Sequence, residues 1–217
     1  MKNALFALFF ISALAACTSN PSEIKAEDEI LTFAKLGIDT AASLPEGLPV
    51  GAKSPGFGTR DIHGNAIDFY GKLKEKPAVI LFYRGNWCPH CNKYMANLSD
   101  SLNMITSRGF NVFVITPENR SLARSFADSL NSNLIVISDS QMALQNAFKV
   151  SFNVTEEYQQ SLMSSGVDIL EHNNQSVAKL PVPATYLIDQ QGFVIWSHFD
   201  YNYRNRASVK EIVHNLW

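Results

Sequence analysis

Two cysteines separated by two residues, Cys88 and Cys91, lie within the segment Trp87-Cys88-Pro89-His90-Cys91. A cysteine thiolate is both a nucleophile and a metal ligand, so this pair could exchange disulfides, form a structural disulfide or contribute to a zinc site. Zinc sites usually have four protein ligands, and the chain offers no second cysteine pair. The other histidines are scattered along the chain at His63, His172, His198 and His214. We therefore assign no metal and no cofactor, and redox chemistry is the leading interpretation.

The residues around this pair predict a strand followed by a helix. Ala78 to Tyr83 is a continuous apolar run, which is typical of a strand buried on both faces in a parallel sheet. After Cys91, apolar residues recur at steps of three and four and would form one face of a helix. These residues are Met95, Leu98, Leu102 and Ile105. Gly109 suits the end of this helix.

The cysteine pair would lie where the strand meets the helix. Backbone N–H groups in the first helical turn, together with the helix dipole, favour a thiolate at Cys88 and make it the nucleophile. Cys91 lies about one turn further along and would be its resolving partner. Pro89 suits an early helical position, and His90 places a potentially cationic ring near the sulfur. Trp87 would form a wall of the site.

The rest of the chain continues an α/β pattern. Predicted strands cover residues 112–115, 134–137, 184–188 and 193–196, with hairpins around His63-Gly64 and at residues 189–192. Four helices are predicted. The first covers residues 27–42, the second starts near Thr116-Pro117-Glu118, the third follows a cap at Asp139 or Ser140, and the last covers residues 207–217. Residues 151–179 lack a clear period, which indicates an insertion of helix and loop.

The N-terminus is typical of an export signal. Lys2 precedes the apolar run from Ala4 to Ala16, whose length of about 13 residues is too short to span a bilayer permanently. Leu14-Ala15-Ala16-Cys17 resembles the bacterial lipobox, in which the peptidase cuts before the cysteine and the cysteine takes lipid. The resemblance implies a signal peptide at residues 1–16 and a lipidated Cys17. Thr18 in the next position favours the outer membrane. A plain secretory leader and a retained anchor are the alternatives.

Composition limits the classes of function. The chain has 217 residues, of which 46% are hydrophobic, and its formal net charge is −2. This composition is globular, and the net charge provides no basic field for nucleic acid. We expect a lipidated cysteine, tether and accessory helix at residues 17–53, and one redox domain at residues 54–217.

Two segments resemble redox proteins of the thioredoxin superfamily. Cys-Pro-His-Cys is similar to the active site of strongly oxidising periplasmic disulfide-forming enzymes, which implies an acidic Cys88 thiol. Leu180 to Asp189 resembles the Val-Pro-x-Thr-Phe-Leu-Ile-Asp segment of TlpA/ResA-like redoxins. That resemblance implies a cis Val182–Pro183 bond, with Pro183 against the active-site disulfide and the Val182 backbone pairing with an incoming chain.

Residues 54–216 resemble the peroxiredoxin-like branch of the AhpC/TSA family. The resemblance depends on the segment 82–91, on Ser138-Asp139-Ser140 with Phe148-Lys149-Val150, and on residues 200–206. Leu81 and Gly85 stand where peroxiredoxins carry the proline and threonine of their active-site motif, and Pro183 stands where many carry a peroxide-activating arginine. Arg84, Arg204 or Arg206 could substitute for that arginine. Phe82 replaces the buried acid of thioredoxin, which leaves the proton acceptor for Cys91 unassigned.

These resemblances imply a thioredoxin-like three-layer α/β/α sandwich with a central mixed sheet. The first hypothesis for function is a thiol–disulfide oxidoreductase of the bacterial envelope, attached to the membrane through its lipid anchor. The alternative is a thiol-dependent peroxidase that reduces hydroperoxides through the same cysteine. Its partners would be protein or small-molecule disulfides or hydroperoxides, and an unidentified thiol/disulfide electron partner. A non-enzymatic lipoprotein that uses the fold for docking is a third interpretation, which the intact cysteine motif argues against.

Overall fold

The computed structural model describes residues 32–130 and 134–216. The predicted signal peptide, Cys17, the tether and the first part of the predicted helix at residues 27–42 lie outside the described residues. Helix α1 covers residues 32–36 of the described chain and ends at Gly37, whose φ of 79° is left-handed. Ile38 then forms a β-bridge with Val154. The predicted extension of this helix to Ala42 is therefore wrong.

Nine strands and eight further helices follow within the described ranges. The strands are β1 (Gly58–Arg60), β2 (Ala66–Asp68), β3 (Ala78–Phe82), β4 (Asn111–Thr116), β5 (Ile135–Ser138), β6 (Ser151–Asn153), β7 (Lys179–Pro181), β8 (Ala184–Ile188) and β9 (Val194–Phe199). The helices are α2 (Phe69–Glu75), α3 (Pro89–Asp100), α4 (Asn103–Thr106), α5 (Arg120–Leu130), α6 (Ala143–Ala147), α7 (Glu156–Ser164), α8 (Ile169–Asn173) and α9 (Val209–His214).

A five-stranded mixed sheet organises the core, in the order β5-β4-β3-β8-β9. β3 is parallel to β4 and antiparallel to β8, and all five of its residues are buried, as the apolar run predicts. Val79 and Leu81 face a core cluster that includes residues of α3, α4, α5 and α9. Ile80 and Phe82 face the opposite cluster, which includes residues of α2. The predicted three-layer thioredoxin-like sandwich is confirmed.

Helix boundaries also differ from the sequence prediction after Cys91 and after Pro117. The single helix expected after Cys91 is divided into α3 and α4, although Leu102 and Ile105 stay buried. α5 begins at Arg120 and not near Pro117, because the Asn119 side chain accepts a hydrogen bond from the Leu122 amide at 3.1 Å. The hairpins β1–β2 and β8–β9 are confirmed.

The insertion at residues 151–179 is more ordered than its sequence indicates. β6 and β7 pair antiparallel, and α7 and α8 lie between them in the chain. Phe152 and Leu180 pack with Phe33 and Ile38, so the insertion and the segment before residue 54 share one hydrophobic cluster. Within the described ranges, no helix has the length and apolar character needed to cross a membrane.

Candidate active site

Cys88 lies at the residue immediately before helix α3. Its backbone is extended, its carbonyl accepts the hydrogen bond of the Asn92 amide at 3.0 Å, and Pro89 occupies the first helical turn. Cys91 lies in that first turn, and both cysteines are free thiols. Cys88 is 3% exposed and Cys91 is 0% exposed, so Cys88 is the one of the two with a path to solvent.

The two thiols have opposite acidities. A hydrogen bond from the Cys91 side chain, aided by the positive charges of Arg84 and Arg206, lowers the pKa of Cys88 to about 6 against the opposing effect of burial. Burial and the neighbouring Cys88 raise the pKa of Cys91 well above its usual value. At neutral pH the pair therefore consists of a thiolate at Cys88 and a neutral thiol at Cys91.

Arg84 is a buried cation beside this thiolate. It is 1% exposed, and its guanidinium carbon lies 5.1 Å from the Trp87 ring centroid, 5.3 Å from that of Tyr158 and 4.3 Å from that of Tyr203. Its Nη2 donates to Tyr158 Oη at 2.8 Å, while its Nε has no hydrogen-bond partner. No carboxylate of the described chain pairs with Arg84. The Cys88 thiolate is thus its natural counter-ion.

Arg206 contacts the second sulfur. Its Nη2 donates to Cys91 Sγ at 3.1 Å, and its Nε donates to the Tyr203 carbonyl at 3.0 Å. Arg204 is exposed and stacks on the Tyr203 ring with a distance of 4.5 Å to the centroid. Of the three arginines considered from the sequence, the structure therefore places Arg84 and Arg206 at the dithiol.

Glu118 is a site residue that the sequence analysis missed. It is fully buried, its Oε2 accepts from Tyr83 Oη at 3.2 Å, and its Oε1 has no partner. Burial raises the pKa of this carboxyl to about 7, and Cys91 is close enough to add a smaller electrostatic effect in the same direction. The available signal was an acid two residues after a buried strand, in Thr116-Pro117-Glu118, which we interpreted as the start of a helix.

The predicted docking of an incoming chain at Val182 is not supported by the geometry. The Val182–Pro183 peptide bond is trans, so the predicted cis bond is wrong. Val182 is fully buried and its N–H donates to the Val150 carbonyl at 2.7 Å, so the residue immediately before the insertion already uses this donor. Pro183 lines a cavity of about 10 Å³ together with Tyr94 and Arg206, which places it near the Cys91 side of the site.

His90 and Trp87 are neighbours of the cysteines in the chain and differ in exposure. The His90 ring is exposed and lies edge-on to the Tyr203 ring, with 5.7 Å between centroids. Trp87 is half-buried and packs against two of the core clusters, and its Nε1 has no hydrogen-bond partner. Trp87 therefore contacts Arg84, and His90 contacts Tyr203, the ring over which Arg84 also lies.

Comparison with known protein families matches residues 50–197 to the family described as “AhpC/TSA family”, which is more than half of the chain. The chain belongs to the AhpC/TSA family. Two candidate peroxiredoxins from two strains of Mycobacterium tuberculosis are each 27% identical to it over 92 residues. That segment is 42% of this chain and 58% of each relative, so the chain aligns with little more than half of the length of these relatives.

Solved structures of AhpC/TSA-type proteins share the fold. Reduced Prx3 of Vibrio vulnificus, solved in complex with hydrogen peroxide, superposes with a TM-score of 0.62 at 9% identity, covering 78% of this chain and 99% of that chain. Peroxidoxin BcpB of Mycobacterium tuberculosis superposes with a TM-score of 0.60 at 16% identity, covering 78% of this chain and 96% of that chain.

The structure explains why residue 85 is glycine in this chain, at the position where the family resemblance leads us to expect threonine. Gly85 has a φ of 142°, and a Cβ there would lie 2.5 Å from Trp87 Nε1 and 3.0 Å from Glu118 Cδ. The indole and the buried carboxyl thus occupy the space that a threonine side chain would need. Hydrogen bonds to a bound substrate have to come from other groups.

Proposed function

We propose that this AhpC/TSA protein is a thiol peroxidase in which Cys88 is the nucleophile and Cys91 resolves the product. The observation that carries the proposal is an ionised Cys88 sulfur with 3% exposure, next to the buried cation Arg84. A hydroperoxide as small as hydrogen peroxide can enter such a narrow opening far more easily than a folded protein carrying a disulfide can. The engaged N–H of Val182 favours the same choice, because it is not free to bind a substrate backbone.

The oxidative step follows from these positions. The Cys88 thiolate attacks one peroxide oxygen, so that an S–O bond forms and the O–O bond breaks. Cys88 becomes a sulfenic acid, and the leaving oxygen departs as water or an alcohol after taking a proton. Arg84 is positioned to stabilise the negative charge that moves from sulfur to oxygen, through its unpartnered Nε.

Resolution uses the second thiol. Cys91 attacks the Cys88 sulfenic sulfur, a disulfide forms and water leaves. The thiol of Cys91 must lose its proton as it attacks, because its raised pKa keeps it neutral. Glu118 is a buried carboxyl with a pKa of about 7 and a free Oε1, so we assign it as the acceptor of that proton.

Stopped-flow oxidation of the reduced protein by hydrogen peroxide tests the peroxidase. We expect Cys88 to react faster than the thiolate of free cysteine, and the Cys91→Ser variant to accumulate a sulfenic acid that a dimedone probe captures. The Cys88→Ser variant is the control and should lack the fast phase. A wild-type rate no greater than that of free cysteine thiolate contradicts the proposal.

A second candidate function is thiol–disulfide exchange with envelope proteins. The observation that favours it is the opposite acidity of Cys88 and Cys91 at a helix N-terminus, which suits a mixed disulfide on Cys88 and resolution by Cys91. Trapping with the Cys91→Ser variant in cells tests it, since that variant should retain a disulfide-linked partner. Absence of any Cys88-dependent adduct would count against it.

For location we propose an outer-membrane lipoprotein that faces the periplasm. The lipobox-like Leu14-Ala15-Ala16-Cys17 and the following Thr18 support this proposal. Metabolic labelling with a fatty-acid probe should mark the wild-type protein and leave the Cys17→Ala variant unlabelled. Equal labelling of both proteins would defeat it.

A further inference from the structure

A cavity of about 560 Å³ lies next to the dithiol, between helix α3 and the segment at residues 204–210. Its lining on α3 runs from His90 to Ser101, a span of about 16 Å at the usual helical rise. Tyr94 and Val209 contribute apolar surface in the lining. An elongated small molecule with both apolar and polar parts would therefore fit this shape.

The cavity is cationic in a chain whose net charge is −2. Its lining contains no aspartate or glutamate. It contains four positively charged residues, which are Lys93, Arg204, Arg206 and Lys210. None of the four takes part in an ion pair with a carboxylate of the described chain. Glu211 is close in sequence, but its carboxylate accepts from the Ser208 amide at 2.7 Å in the cap of α9. Unpaired cations concentrated in one concave site favour an anionic ligand.

The cavity also borders the redox centre, because two of its lining residues adjoin the cysteines, although neither cysteine lines it. Arg206 lines it and donates to Cys91 Sγ at 3.1 Å, and His90 lies between the two cysteines in the chain. An anion held by Lys93 and Lys210 would therefore lie beside the disulfide that the proposed catalytic cycle produces. This location suits an anionic reductant better than hydrogen peroxide, because hydrogen peroxide carries no charge that the four cations could hold.

We propose that this cavity binds a small thiol bearing a carboxylate, which reduces the Cys88–Cys91 disulfide. The proposal rests on the proposed function for the origin of that disulfide. The thiolate of the reductant attacks the Cys88 sulfur, a mixed disulfide forms, and Cys91 leaves as a thiolate that Arg206 stabilises before it takes up a proton. A second molecule of the thiol then attacks the mixed disulfide, which frees the Cys88 thiolate. Two thiols are thereby oxidised to one disulfide, and the protein disulfide is reduced.

Three thiols with the same two-carbon spacer and different terminal charges test the preference: 3-mercaptopropionate, 2-mercaptoethanol and cysteamine. The full chain is first oxidised with diamide, so that the measurement does not depend on peroxidase activity. Reduction of the disulfide is then followed by acid quench, alkylation and mass spectrometry. Each rate constant, at equal thiolate concentration, is divided by that of the same thiolate with a neutral small disulfide, which removes the effect of thiol pKa on nucleophilicity. At low salt we expect 3-mercaptopropionate to react about tenfold faster than cysteamine, with 2-mercaptoethanol between them, and we expect added salt to shrink the difference.

Charge reversal locates the effect. The Lys93→Glu/Lys210→Glu variant should lose the preference for the anionic thiol, while 2-mercaptoethanol supplies an internal measure of general reactivity. The Lys74→Glu/Lys76→Glu variant is the matched control, because it changes the net charge equally at exposed lysines that do not line the cavity. Equal rates for the three thiols after this division, or an equal loss of preference in both variants, would overturn the proposal.

Discussion

The acidity of Cys88 depends on three neighbouring side chains and not only on its position at the start of a helix. The hydrogen bond from Cys91 has the largest effect on its pKa, and the charges of Arg84 and Arg206 lower the pKa further. The sequence identified the helix position and the partner cysteine. It left the arginines as alternatives, because their approach to the sulfurs depends on tertiary packing among the aromatic rings of Trp87 and Tyr203.

At the residue scale, removing the donor on Cys91 should make Cys88 less acidic. In the Cys91→Ala variant we expect a Cys88 pKa clearly higher than that of the wild type, because the largest stabilising interaction of the thiolate is lost. The Cys91→Ser variant is the matched comparison, since its hydroxyl can still donate and should retain more of the shift. The ultraviolet absorbance of the thiolate measures both, and an unchanged pKa in Cys91→Ala would refute this cause.

Glu118 should make stability depend on pH. Its folded pKa is raised from 4.5 to about 7, so its contribution is fully present below about pH 4.5 and is lost as the pH rises through 7. Relative to a Glu118→Gln variant, we expect the free energy of unfolding to fall by on the order of 3 kcal/mol across this window. Urea unfolding at several pH values measures the difference.

The proteins with Glu118 and with Glu118→Gln should be compared when both also carry the Cys88→Ser substitution. Cys88 has a lowered folded pKa of about 6, so its own contribution has the opposite sign and increases as the pH rises from about 6 towards 9. Without that thiol, the pH dependence that separates the two proteins comes from residue 118. Parallel pH profiles for Glu118 and Glu118→Gln would contradict a buried, perturbed carboxyl.

At the scale of elements, local sequence patterns were sufficient to predict a strand or helix where the spacing of apolar residues matches the residues that are buried. The fully buried β3 and the apolar face of α3 were predictable, because their apolar residues follow the periods of a central strand and of a helix. Glu118 was misread because a Pro-Glu pair after a strand is typical of a helix start, while its burial depends on the loop between β3 and α3. No local pattern shows that the Val182–Pro183 bond is trans or that the Val182 N–H donates to the Val150 carbonyl.

The loop that joins β3 to α3 should not tolerate a side chain at Gly85. A Gly85→Ala variant places a Cβ against the Trp87 indole and the Glu118 carboxyl, in addition to the strain at its φ of 142°. The matched control is Gly64→Ala, which has a φ of 96° and nothing within 4 Å of the added Cβ. We expect a loss of about 1 kcal/mol at Gly64 and on the order of two to four times as much at Gly85. Equal losses in thermal or chemical unfolding would contradict the close packing.

At the scale of the whole molecule, the insertion completes the site that the common fold begins. Tyr158 of α7 accepts the hydrogen bond of Arg84. The residue before β6, Val150, accepts the hydrogen bond of Val182, the residue after β7, next to the pairing of these two strands. The sequence predicted an irregular insertion, because its elements are short and become stable only by packing on α1 and on the central sheet. The insertion thus holds the buried cation, while Val150, immediately before it, occupies the donor that a thioredoxin-like docking mode requires.

The pKa of Cys88 in the reduced wild-type protein tests the account most directly. Titration of the thiolate absorbance, with the Cys88→Ser variant subtracted to remove other groups, should give a pKa of about 6. The rate of oxidation by hydrogen peroxide should rise along the same curve and level off above about pH 7. A pKa at or above that of free cysteine, about 8.5, would contradict a thiolate stabilised by Cys91 and Arg84.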